Sequence, residues 1–252
     1  MSSPFDLSGK VALVTGANTG LGAAIAIALA RAGANIAAVG RSAPDNTLQA
    51  IHALGHRGEW ISAQLDDSAN APGIIDAVAA RFGDLDIVVN NAGTIRRNDA
   101  LDFTEDDWDA VMGVNLKTAF FLAQAAARRW VAERRGGKII NIASMLSFQG
   151  GVRVASYTAS KSGLLGLTRL LANEWAARGI NVNAIAPGYF ATNNTEALRA
   201  DEARNKSILE RIPAGRWGDP ADIGGAAVFL ASDAASYVHG AVLPVDGGWL
   251  AR

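Results

Sequence analysis

Short apolar runs alternate along the whole chain with stretches whose apolar residues recur every three or four positions. The runs at 11–15, 35–39, 60–65, 87–90, 138–142, 181–185 and 241–245 are short and mostly apolar, and they predict strands. Between them, 20–32, 72–82, 105–134, 156–177 and 219–231 predict helices, the first stopped by Gly33. Strands that are apolar throughout, rather than alternately, predict a parallel sheet covered on both faces. The expected architecture is therefore α/β: a Rossmann-like, doubly wound parallel sheet of about seven strands. Its ligand crevice should lie beyond the carboxyl ends of the strands. No linker or repeat breaks the pattern, so a single domain over 1–252 is expected. The region 187–216 has no clear period, and its mixed polar character suits a mobile flap over a site.

Composition narrows the classes of function. Half of the 252 residues are hydrophobic and 19% are charged, which allows a large core and argues against disorder. The 23 basic and 24 acidic residues nearly cancel, so no broad field exists to hold nucleic acid or an acidic membrane. A small anion held by one or two arginines stays open. The absence of cysteine excludes disulfides, thiolate metal sites and cysteine nucleophiles. Only His52 and His56 share helical spacing, with no Glu between them, so no metal site is expected. The start, Met1-Ser-Ser-Pro-Phe-Asp-Leu, does not read as a signal peptide, and no apolar stretch approaches the ~20 residues of a membrane span. A cytoplasmic protein is expected.

One turn carries candidate chemistry. Thr15-Gly16-Ala17-Asn18-Thr19-Gly20-Leu21-Gly22 joins the first strand to the first helix. Glycines allow close backbone approach and positive φ, and a helix start offers free N–H groups and a positive dipole end. A pyrophosphate would fit there; a purely structural turn is the alternative.

Further motifs follow in order: Asn90-Asn91-Ala92-Gly93, Asn115, Ser144, Tyr157-Thr-Ala-Ser-Lys161 and Pro187-Gly188. With the Gly-x-x-x-Gly-x-Gly turn, they resemble the short-chain dehydrogenase/reductase family across essentially the whole chain. That resemblance implies hydride transfer with NAD or NADP. It implies cofactor contacts from Gly16, Asn18, Thr19, Gly20, Leu21 and Gly22, from Asn91, Ala92 and Gly93, and from Tyr157, Lys161, Pro187, Gly188 and Thr192. It also implies that Asn115 holds a water in a proton relay to Lys161, and that subunits pack as a homotetramer through the helices 105–134 and 156–177.

The residues themselves leave two readings each. Tyr157 and Lys161 are four apart on a predicted helix, hence on one face. A phenol titrating near 10 is a poor base until a nearby ammonium stabilises its phenolate. The pair is either that activated acid/base or a solvated surface pair. Ser144 ends a predicted strand, where its hydroxyl either polarises a substrate oxygen or caps a turn. Asn115 is a mediocre helix former and also reads as a kink.

The second strand ends at Gly40-Arg41-Ser42, with no acid to take a ribose 2′-hydroxyl, and Arg41 with Ser42 could hold a 2′-phosphate. Gln64-Leu65 stands where the family usually has Asp before a small apolar residue at the adenine. Stretches at 91–97, 143–151, 186–194, 198–202, 211–217 and 246–252 resemble a branch of the family that acts on deoxy sugar acids and is usually NAD-linked, so the choice of cofactor stays open. A sugar acid's carboxylate wants an arginine. Arg97 and Arg153 lead Arg96 and Arg211 as candidates, with Gln149 and Asn193 to read hydroxyls. A reductase of another polyol or a 3-oxoacyl substrate, and a nucleotide-sensing protein without turnover, are the competing readings.

Overall fold

Seven parallel strands form one sheet in the order β3-β2-β1-β4-β5-β6-β7. They are β1 Val11–Thr15, β2 Asn35–Gly40, β3 Gly58–Ser62, β4 Ile87–Asn90, β5 Gly137–Ile142, β6 Ile180–Pro187 and β7 Val242–Val245. The computed structural model describes residues 3–252; Met1 and Ser2 of the N-terminal stretch lie outside them. The helices are α1 Gly20–Arg31, α2 Asp45–Ala53, α3 Ala71–Phe82, α4 Glu105–Met112, α5 Ala119–Ala132, α6 Ala155–Trp175, α7 Glu196–Ala200, α8 Glu202–Leu209 and α9 Gly224–Ala231. The chain winds outward from β1 to β3, then returns to place β4 on the other side of β1. That reversal opens a crevice beyond the strand ends between β1 and β4.

The apolar strands bury both faces. One core packs α1 and α9 on the sheet through Ile25, Leu29, Ile36, Ile140, Ile185 and Leu230. The other packs α3, α5 and α6 through Leu13, Val78, Val88, Leu122, Trp130 and Leu171. The order of strands and helices matches the expectation, and several bounds differ for physical reasons. The third strand ends at Ser62 because its partner β2 ends at Gly40. Leu65 then turns inward alone and is buried. The run 105–134 is not one helix: the six residues Gly113–Thr118 widen into a π turn between α4 and α5. The run Glu105–Ala132 is also long and apolar enough by composition to cross a bilayer, contrary to the sequence expectation. In this fold it lies against the sheet, with Ala123, Ala126 and Trp130 facing the core. Helix α2 escaped the sequence reading because it buries little beyond Thr47 and Ile51. Thr47 Oγ1 anchors it by donating to the Ala17 carbonyl at 2.9 Å. His52, on its last turn, engages the Gly58 carbonyl at 2.9 Å.

A buried polar chain ties the strands beneath the crevice. Asn90 Nδ2 donates to Asn141 Oδ1 at 2.9 Å and to the Ala119 carbonyl at 3.1 Å. Asn141 Nδ2 donates to Thr168 Oγ1 at 3.0 Å, and Thr168 donates on to the Leu164 carbonyl at 2.7 Å. The chain fixes β4, β5 and α6 in one register. Asn141→Ala removes its centre and leaves a small cavity, so it should lower unfolding stability by about 2 kcal/mol in urea titrations at fixed protein concentration. An unchanged midpoint would show that the chain does not hold the register.

Candidate active site

The glycine turn is shaped as a cradle. Gly20 has φ 57, open to glycine and strained for other residues. A Cβ on Gly22 would run into the Gly16 carbonyl and the Asn91 amide. Asn91 closes this approach, with Nδ2 donating to the Thr15 carbonyl at 2.9 Å and to the Gly16 carbonyl at 3.3 Å. Thr15 Oγ1 accepts from the backbone N–H groups of Asn91 and Ala92, both at 2.9 Å. Asn91 and Ala92 thus act as struts that join the ends of β1 and β4. Helix α1 begins with no side-chain cap and no acidic residue in its first turn. Its free N–H groups and dipole fit a phosphate, the sequence of Asn18, Thr19, Gly20 and Leu21 forming the rim. Thr192 packs over Gly20 from the opposite loop.

At the end of β5, the backbone bends into a short 3₁₀ turn, Met145–Ser147, capped by Ser144. Ser144 Oγ accepts from Leu146 N–H at 3.1 Å, which fulfils the turn-cap reading, and its hydroxyl acts on Tyr157 to lower the phenol's pKa. Tyr157 and Lys161 lie on α6, and Lys161 is buried at 4% exposure, which removes the surface-pair reading. Its ammonium donates to the Ile142 carbonyl at 2.6 Å and lies 5.7 Å from the Tyr157 ring centre. Gly93 leaves room beside it: a Cβ there would stand 3.7 Å from Lys161 Nζ and 3.3 Å from Asn115 Oδ1. An ammonium carries three donors, and among the described residues Lys161 spends one. The uncapped start of α1 and these spare donors line one crevice, and they fit a phosphate-bearing, hydroxyl-rich nucleotide.

Asn115 lies inside the π turn and is buried. Its Oδ1 accepts from Thr94 N–H at 2.8 Å, and its Nδ2 donates to the Thr94 carbonyl at 3.0 Å and to Ser160 Oγ at 3.2 Å. Ser160 donates in turn to the Tyr157 carbonyl at 2.8 Å. Sequence reasoning missed Ser160, although it stands inside the Tyr-x-x-x-Lys spacing. The π turn also fulfils the kink reading of Asn115.

Burial sets the electrostatics. It pushes the Tyr157 hydroxyl above its ordinary value, opposed by the Ser144 hydrogen bond and by the charge of Arg97. Lys161 is drawn down to about 8 by the same burial. The expected lowering of Tyr157 by the lysine is thus not the dominant effect: 5.7 Å of separation and loss of solvent outweigh it.

Other expected residues spread around this centre. Arg97 is exposed on the loop after β4, and Arg153 is exposed with φ 63 on the loop before α6. The two loops meet where Asn98 N–H donates to the Arg153 carbonyl at 3.1 Å. Arg96 turns away to an ion pair with Asp107 at 3.2 Å. Gln149 Oε1 is taken by Trp249 Nε1 at 2.9 Å, a contact with the chain end that the sequence reading did not foresee. Asn193 is exposed on a short turn of the 187–216 region, where Thr195 Oγ1 closes a capping box with Thr192. Arg41, Ser42 and Gln64 are exposed beyond β2 and β3, apart from the Tyr157 centre, with Leu65 buried beneath them. Pro187 is buried at the end of β6, and Gly188 is required by the close approach of Asp246.

The buried ammonium has a pH signature. Unfolded, Lys161 regains its ordinary value, so the unfolded chain holds more protons between about pH 8 and 10.5. The cost of burying the charge is then fully present below about pH 8 and is relieved as pH rises toward 10.5. Lys161→Met escapes that cost. Its stability relative to the parent should fall by about 3 kcal/mol as unfolding is measured from neutral pH to pH 10. A pH-independent difference would mean that the lysine is not held at a depressed value.

The family model described as enoyl-(acyl carrier protein) reductase matches residues 16–250. The 2-dehydro-3-deoxy-D-gluconate 5-dehydrogenase of Escherichia coli is 59% identical over 250 residues, covering 99% of each chain. A crystal structure from Agrobacterium tumefaciens, provisionally named 2-deoxy-d-gluconate 3-dehydrogenase and holding NADP, is 62% identical with a TM-score of 0.95 over 100% of both chains. The gluconate 5-dehydrogenase of Burkholderia cenocepacia, solved with NADP and tartrate, is 40% identical with a TM-score of 0.93, covering 99% of this chain and 98% of that one. Fold, glycine turn, Tyr157-Lys161 pair and full-length identity agree: the chain belongs to the short-chain dehydrogenase/reductase family.

Proposed function

We propose that this chain is an NAD(P)-dependent dehydrogenase that interconverts a secondary hydroxyl and a ketone on a deoxy sugar acid, as in 2-dehydro-3-deoxy-D-gluconate 5-dehydrogenase. The observation that carries the reading is Tyr157, under the influence of Ser144 and with buried Lys161 5.7 Å from its ring, in a chain 59% identical end to end to an enzyme of that name. In reduction, the Tyr157 hydroxyl gives its proton to the ketone oxygen while Ser144 donates a hydrogen bond to it. The bound nicotinamide supplies or accepts the hydride. Lys161 favours the phenolate left behind, and Asn115 holds a water that links to the lysine as a proton relay; its place beside Lys161 next to Gly93 supports that role.

Four further assignments follow. Arg97 and Arg153 hold the substrate carboxylate, supported by the meeting of their loops and by the reach of the Arg97 charge to Tyr157. Arg41 and Ser42 take a 2′-phosphate, so NADP is the cofactor; their exposure beyond β2 and the NADP in two similar structures support this. The 187–216 region, which includes α7 and α8, forms the flap over the substrate, and Asn193 on it reads a hydroxyl. The working form is a cytoplasmic homotetramer packed through α5 and α6, where Val131 and Leu170 stand exposed.

Assays with NADPH and NADH against keto deoxygluconates should give turnover; no activity with any sugar acid would sink the substrate assignment. Tyr157→Phe should cut kcat by about 10³ without weakening cofactor binding. In the oxidative direction, kcat/KM should climb with pH as the Tyr157 hydroxyl gives up its proton and becomes the base, and a flat profile would remove it from that role. Arg41→Ala should raise the KM for NADPH about tenfold and leave that for NADH unchanged. Equal effects on both cofactors would remove the phosphate role.

A further inference from the structure

The chain end closes on the Ser144 loop through a single side chain. Trp249 is 5% exposed and lies three residues from the C-terminus. Its Nε1 donates to Gln149 Oε1 at 2.9 Å, and Arg211 reaches the same oxygen at 3.5 Å while its guanidinium stacks over the Trp249 ring at 4.2 Å. Tyr189, just past Pro187-Gly188, meets the Trp249 ring edge-on at 4.9 Å and the Trp217 ring at 5.4 Å. Met145, next to Ser144, is buried in the same cluster with Ile208 and Ile212. Gln149 N–H returns to the Met145 carbonyl at 3.2 Å, so the loop from Ser144 to Gln149 is a closed turn. Asp246 fixes the terminal segment itself, accepting from Gly248 N–H at 2.8 Å and Leu250 N–H at 2.9 Å.

We infer that Trp249 and Gln149 form a latch that holds the terminal segment 246–252 and the flap against the Ser144 loop, making both positioning residues for the substrate rather than groups that read it. The inference rests on the proposed function for its substrate class. Gln149 Oε1 is the acceptor of both donors, so the amide oxygen is committed to the protein's own wall. Losing the Trp249 N–H frees the wall that faces the sugar acid and leaves the cradle at the start of α1 untouched. The loss should therefore appear in the substrate's KM and not in cofactor affinity.

The test is a double-mutant cycle in the full-length protein. Trp249→Phe keeps the ring packing and the Arg211 stacking face and removes the N–H; Gln149→Leu removes the acceptor. Each single variant should raise the KM for the sugar acid about five- to tenfold, with kcat changed by less than about twofold and cofactor Kd unchanged. The double variant should be no worse than either single one, because both remove the same bond. Gln149→Glu keeps an acceptor for Trp249 and should retain more of the parent's KM than Gln149→Leu. Additive effects, or a Trp249→Phe variant with the parent's KM, would overturn the latch. Gln149→Leu alone raising KM would return Gln149 to a direct contact with substrate. Parent turnover on the same substrates is measured alongside, so failure of the substrate assignment shows in the parent and failure of the latch only in the variants.

Discussion

A single buried ammonium organises the crevice. Lys161 reaches from α6 to the last carbonyl of β5 at 2.6 Å, with almost no solvent around it. A buried charge tolerates only neighbours that leave it room or accept its protons. Gly93 leaves room, Ile142 offers its carbonyl, and Asn115 brings an amide to the same space. Those demands fix how α6 approaches the strand ends, and with it the distance between Tyr157 and Ser144.

The same burial acts on both members of the Tyr157-Lys161 pair. It lowers the lysine and raises the tyrosine together. Burial penalises the charged form of each group, so the phenol holds its proton more tightly and the ammonium releases its own more readily. The π turn contributes differently. By widening the helix between α4 and α5, it turns the Asn115 amide toward Thr94 and Ser160, which a regular helix would not do at that point.

Around this centre, the struts and the walls have different origins. Asn91 and Ala92 bind backbone of the glycine turn, so the cradle is rigid and belongs to the sheet. The substrate side is built from loops and short helices: the Arg97 and Arg153 loops, the 187–216 region and the chain end. Loops on a rigid sheet can vary in specificity without disturbing the hydride-transfer geometry. That division separates the loops around Gln149, Trp249 and the arginines from the Tyr157-Lys161 pair, which a single helix, α6, carries.

The sequence by itself determined the strand order's raw material, the glycine turn and the Tyr157-Lys161 spacing. These are local: the period of apolar residues and the identities in a short motif are set by neighbours along the chain. It also carried the resemblance that pointed to a deoxy sugar acid. It did not determine that Lys161 is buried, since i, i+4 spacing is the same on a solvated face. Nor did it show the break at Gly113–Thr118, where the apolar period runs on but the hydrogen bonds shift by one residue. Helix α2 was illegible because its few inward residues leave no periodic signal. Gln149 read as a group for substrate hydroxyls, and its oxygen is engaged by Trp249, 100 residues away. Contacts at that separation are decided by how the sheet brings its loops together, and only the tertiary structure records them.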